Sequence, residues 1–111
     1  MHEMSIATSI LGIAESSMQN YQHLISISVQ IGELAGIEID SLQFCFEAIK
    51  QSTRYPDLTL YIERIPGEGL CEKCQQSIAI SQLYTMCPRC NVQILKPVQG
   101  QELKVTSIEV E

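Results

Sequence analysis

The apolar positions change period along the chain, and each change marks an element. Over residues 5–21, Ile6, Ile10, Ile13, Ala14 and Met18 recur near i, i+3, i+4 and i+7, which is the buried stripe of an amphipathic helix. Ser9, Glu15, Ser16 and Gln19 supply its polar side, and Asn20 with His23 lie where it should end. Ile25, Ile27, Val29 and Ile31 then alternate without error with Ser26, Ser28 and Gln30, the period of a half-buried strand. Gly32 and Gly36 bracket a loop. Asp40, with Gln43 three residues on, reads as a capping box opening a second helix whose stripe is Leu42, Cys45, Phe46 and Ile49. Cys45 is expected to be a small buried thiol, and His23 a surface side chain. After a turn at Pro56 and Asp57, residues 58–63 alternate again as a second strand. Residues 102–111 read as a third, with Leu103 and Val105 in phase but Ile108 and Val110 shifted by one. A bulge near Thr106 or Ser107 reconciles the two phases.

Helix, strand, helix, strand and a final strand define a mixed α/β (α+β) fold, a small three-stranded sheet covered by two helices. That domain takes residues 1–65 and 101–111. Residues 66–100 interrupt it. Pro66-Gly67-Glu68-Gly69 and Lys96-Pro97-Val98-Gln99-Gly100 read as flexible boundaries on either side of an inserted, zinc-ribbon-like lobe.

The lobe carries the clearest chemistry in the chain. Cys71-Glu72-Lys73-Cys74 is followed by twelve residues and then by Cys87-Pro88-Arg89-Cys90. Each CxxC turn aims two sulfurs at one ion, and a hairpin between the turns brings all four together. Tetrahedral Zn²⁺ with Zn–S bonds of about 2.3 Å is the natural occupant. A disulfide framework fits paired CxxC turns less well, and Cys87-Pro88-Arg89-Cys90 also has the look of an iron-thiolate redox centre. A site saturated by four thiolates leaves no position for substrate, so the zinc is expected to be structural.

The first residues are chemically distinctive too. In Met1-His2-Glu3 a free α-amine, the amide nitrogen of His2 and its imidazole Nδ1 form fused five- and six-membered chelate rings, three nitrogens from two residues. Nitrogen-rich square-planar coordination suits Ni(II) or Cu(II). The amide nitrogen of Glu3, its carboxylate or water would complete the square.

Composition narrows the remaining classes. The chain has 111 residues, a net charge of −6 and a pI near 4.8. Four thiolates around one Zn²⁺ make it two charges more negative. Seven basic residues are scattered rather than clustered, which argues against nucleic acid as a partner and against a zinc-ribbon regulatory adaptor. No stretch has membrane-spanning length, and the first residues lack the features of a signal peptide. Thiols at the site with an odd fifth cysteine point to a reducing, cytoplasmic compartment. No nucleophile with its base, phosphate-binding glycine loop or open metal position marks an enzyme.

Met1-His2-Glu3, a helix, Ile31-Gly32-Glu33-Leu34 with Leu42, Phe44, Phe46 and Glu47 beyond it, a four-cysteine module and a terminal strand together resemble the HypA/HybF family of nickel metallochaperones in hydrogenase maturation. The resemblance covers essentially the whole chain. It implies that Met1, His2 and Glu3 carry Ni²⁺, that Cys71, Cys74, Cys87 and Cys90 hold Zn²⁺, and that the partners are the nickel GTPase HypB and the large subunit of [NiFe]-hydrogenase. Gln75 and Asn91 follow the two cysteine pairs here, so the variant with histidine beside them is absent and an all-thiolate site is expected at every pH the fold survives.

Overall fold

The computed structural model describes residues 3–111, in the order α1 (Glu3–Ser16), β1 (Leu24–Gly32), α2 (Ile39–Lys50), β2 (Thr59–Ile65), β3 (Glu68–Cys71), β4 (Gln76–Ala79), β5 (Lys96–Gln99) and β6 (Leu103–Val110). They form two three-stranded sheets, β2-β1-β6 and β4-β3-β5. The expected fold class is therefore the one observed: two helices with a small sheet, plus a separate cysteine-bearing sheet. The chain clusters into two compact units. One holds the residues up to Gln30, Ile37–Glu63 and Lys104–Glu111; the other holds Ile31–Gly36 and Arg64–Leu103.

In the first unit, α1 buries Ala7, Ile10, Leu11 and Ala14 and packs against α2. It stops at Ser16, short of the expected end near residue 21. The hydroxyls of Ser16 and Ser17 both donate to the Ile13 carbonyl, at 2.8 and 3.0 Å, competing with the backbone donor that would continue the helix. Leu24, Ile27 and Val29 of β1 are buried, and Leu42 and Phe46 of α2 are wholly so.

The cap of α2 falls two residues before the expected Asp40. Glu38 is extended, its carboxylate accepts from the Asp40 amide at 3.2 Å, and Asp40 lies within the first turn. Gln43 does not close a capping box; its Nε2 reaches the Leu60 carbonyl. Cys45, expected to be buried, is half-buried, because Leu42 and Phe46 take the centre of the stripe. In β6, Val105, Ile108 and Val110 are half-buried while Thr106, Ser107 and Glu109 are exposed, so the phase shift seen in the sequence appears in the burial pattern.

The second unit corrects the expectation of flexible boundaries. Residues 68–71 are the central strand of its sheet, with β4 antiparallel on one side and β5, residues 96–99, antiparallel on the other. The glycines of this region serve close approach. A Cβ on Gly67 would stand 2.3 Å from the Ile80 carbonyl oxygen, and one on Gly69 would stand 2.8 Å from the Leu95 Cβ.

Candidate metal centre

Each cysteine pair occupies the turn of its own small hairpin. The first pair joins β3 to β4: Cys71 ends β3, and the Gln75 amide donates back to the Cys71 carbonyl at 2.7 Å. The second lies between Met86 and Ile94, which form a bridge, and the Asn91 amide donates to the Cys87 carbonyl at 3.0 Å. Gln75 and Asn91 both have φ of 57°, the left-handed residue that closes each turn. The single hairpin expected between the cysteine pairs is thus replaced by one hairpin around each pair. Asn91 is a residue type that tolerates this conformation and was a readable signal; Gln75 is not.

The four Sγ atoms lie within 4.8 Å of one another. The Cys71 and Cys90 sulfurs are 3.8 Å apart. A tetrahedron with metal–sulfur bonds of about 2.3 Å has edges of about 3.8 Å, so this spacing fits a four-thiolate metal ion, and it is far too long for a disulfide bond. All five cysteines are free thiols. Cys71 and Cys87 are fully buried in a core with Leu34, Ile80 and Leu95, and Cys74, Ile78 and Cys90 pack against it.

The electrostatic surroundings of the two pairs differ. The Val92 amide, followed by that of Gln93, lowers the Cys90 thiol to about 6 against the opposing effect of burial. The Cys90 and Arg89 amides lower Cys87 in the same way. Cys74 is pushed up to about 12, first by burial and then by the neighbouring thiols of Cys71, Cys90 and Cys87. Backbone N–H groups stabilise the charged form of a thiol and burial disfavours it. Val92 and Gln93 contribute through their amides alone, which is why residue type gave no hint of them.

Of the nickel residues expected from the sequence, Met1 and His2 lie outside the described residues. Glu3 opens α1, and its Oε2 accepts from the Glu38 amide at 3.2 Å, linking the first turn of α1 to the cap of α2. His23 is exposed, with its ring edge-on to Tyr55 at 5.1 Å. Among the described residues no helix is long and apolar enough to cross a membrane.

A small mixed α/β protein with a four-thiol cluster able to hold a metal ion, two of its cysteines buried and two half-buried, has the makings of a metal-binding protein. The family described as "Hydrogenase/urease nickel incorporation, metallochaperone, hypA" matches residues 1–110, and the chain belongs to this HypA family. Hydrogenase maturation factor HypA of Azotobacter chroococcum mcd 1 is 40% identical over 113 residues, covering 100% of both chains. Its namesake in Geobacter metallireducens is 37% identical over 111 residues, again covering 100% of both. The solution structure of the Ni metallochaperone HypA from Helicobacter pylori superposes with a TM-score of 0.64 at 26% identity, over 98% of this chain and 97% of that one. A second solution structure, of a HypA protein, gives a TM-score of 0.63 at 24% identity over 100% of this chain and 97% of the other, a likeness of fold.

Proposed function

We propose that this chain is a nickel metallochaperone that takes Ni(II) at its N-terminus and delivers it during maturation of [NiFe]-hydrogenase. The observation that carries the reading is the match to the HypA family over residues 1–110, which includes the chelating sequence Met1-His2-Glu3. Met1 gives its α-amine, and His2 its imidazole and backbone nitrogen. Glu3 gives a backbone nitrogen or a supporting carboxylate, whose Oε2 accepts from the Glu38 amide. That nitrogen belongs to the first turn of α1, where helical N–H groups have no partner within the helix.

Cys71, Cys74, Cys87 and Cys90 hold Zn²⁺ as a structural ion; when bound it cross-links the two turns, and its saturated coordination leaves it no catalytic position. The function is carriage rather than catalysis. The GTPase partner is of the HypB type, the recipient is the large subunit of the hydrogenase, and exchange takes place in the cytoplasm without nucleic acid or membrane. Both the amine and the imidazole must lose protons to bind, so nickel affinity falls with acidity.

The test compares Ni²⁺ binding by untagged chain and by His2→Ala, read by stoichiometry and X-ray absorption. The variant is expected to lose the site. An N-terminal extension should reproduce the loss, because it removes the free amine. Equal affinity and equal coordination in wild type and variant would sink the reading.

A further inference from the structure

The hairpin that carries Cys87 and Cys90 has one face in the core and the other in water, and the outward face is apolar. The Cys87 amide donates to the Gln93 carbonyl and the Leu95 amide to the Thr85 carbonyl, both at 2.8 Å, and Met86 pairs with Ile94 between them. Cys87 and Leu95 are buried, so the side chains of the Met86–Ile94 pair stand on the opposite face. The alternation continues into β5: Leu95 is buried, whereas Ile94, Lys96 and Val98 are exposed. Met86 is 45% exposed, Ile94 54% and Val98 51%. A strand with one face in water ordinarily shows polar side chains there, and an apolar row left bare marks a contact surface. Two residues before Met86, Tyr84 is 82% exposed at a φ of 62°, a left-handed conformation that an aromatic residue seldom takes.

The charge around this face narrows what covers it. From Lys73 to Gln101 the chain has no Asp or Glu, although the whole sequence has 13, and three cations, Lys73, Arg89 and Lys96, lie in that stretch. All three are exposed, and Lys96 makes no ion pair among the described residues. We propose that the outward face of this hairpin docks an acidic segment of another protein, its apolar side chains seated on Met86, Ile94 and Val98 and a carboxylate paired with Lys96. The ion pair orients the segment, and burial of the apolar row holds it. An anionic bilayer carries the same sign of charge, but it would face a whole molecule of charge −6, whereas a segment meets the hairpin alone. The docking rests on the cysteine cluster holding its ion and not on nickel carriage.

The experiment uses the zinc-loaded full chain as bait for random peptides displayed on phage, with zinc-loaded Ile94→Asp as the counter-bait. Peptides enriched by the wild type alone are expected to carry apolar residues among Asp and Glu. An enriched peptide is then synthesised and titrated against the wild type, Ile94→Asp and Lys96→Glu. Each variant is expected to bind at least about tenfold more weakly, as for loss of a central contact, and wild-type binding should weaken as salt is raised. Where Ile94→Asp loses its zinc, Val98→Asp, farther along the chain from the cysteines, takes its place. No enrichment, enrichment of basic peptides, the same peptides from both baits, or equal affinity of the variants overturns the proposal. So does self-association of the wild type, seen by sedimentation and abolished by Ile94→Asp, which would make the occupant a second copy of the chain. Tighter binding to phosphatidylglycerol vesicles than to the peptide overturns it too, in favour of a membrane.

Discussion

Cys90 shows how much of a residue's behaviour is decided by backbone that its own identity does not reveal. The CxxC spacing made the four cysteines legible in sequence, because two sulfurs three residues apart fit one turn and one ion. The amides of Val92 and Gln93, which set the charge on Cys90, were not legible, since any residue other than proline offers an amide. Their effect is testable. The Cys90 thiol falls from its ordinary 9.0 to about 6, so the folded turn favours the thiolate. A depressed value stabilises the fold fully above the ordinary 9.0, and that contribution disappears as the pH falls through about 6. In the metal-loaded chain, whose turns stay folded, the ion should therefore be retained below neutral pH, and Cys90→Ser should release it at a higher pH. Equal release in wild type and variant would contradict this.

At the scale of elements, the alternating strands were readable because period two survives wherever one face is covered. The ends of elements were less so. α1 stopped early at competing serine hydroxyls, and α2 took its cap from Glu38, a residue type that seldom marks a helix start. Glycine misled most. Gly67, Gly69 and Gly100 read as linker, but they are the places where backbone meets backbone or a core side chain. Gly32 belongs with them: a Cβ there would stand 1.9 Å from the Gly100 carbonyl oxygen, and Gly100 itself has φ of +111°. Neither backbone can yield as a flexible side chain would. Gly32→Ala should cost on the order of 1–3 kcal/mol in urea unfolding of the metal-loaded protein. Gly12 is the matched control, since it lies within α1 and a Cβ there meets nothing within 4 Å. Gly12→Ala should stabilise by roughly 0.5–1 kcal/mol, the helix preference of alanine. A Gly32→Ala midpoint equal to wild type would remove the packing argument.

For the molecule as a whole, the sequence disclosed two sorts of stability. The helical unit has a core of large side chains, Phe46, Leu42, Leu24, Ile27 and Leu58 among them. The cysteine-bearing unit has Leu34, Ile80 and Leu95 around two buried thiols, too little apolar material for a unit of its size to stand without a staple. Metal binding there is folding free energy. Stripping the ion with a chelator is expected to collapse the nuclear magnetic resonance dispersion of Gly69, Ile78 and Leu95 while that of Leu42 and Phe46, and the helical circular dichroism, persist. Simultaneous loss of both sets would show the two units to be one cooperative system.

The placement of Ile31–Gly36 in the second unit has a consequence for how that unit is made and whether it can be moved. Leu34 belongs to its core, the Leu34 amide donates to the Gly100 carbonyl at 2.7 Å, and the Glu33 carboxylate accepts from the Gly67 amide at 3.2 Å. On a ribosome these six residues emerge well before the strands they serve, and the Leu34 amide waits for its acceptor until Gly100 has been added. A fragment cut to carry only the cysteines would leave Leu34 behind. The metal lobe is therefore no cassette to be lifted out and grafted onto another protein, because part of its wall is woven from chain that lies before the second helix.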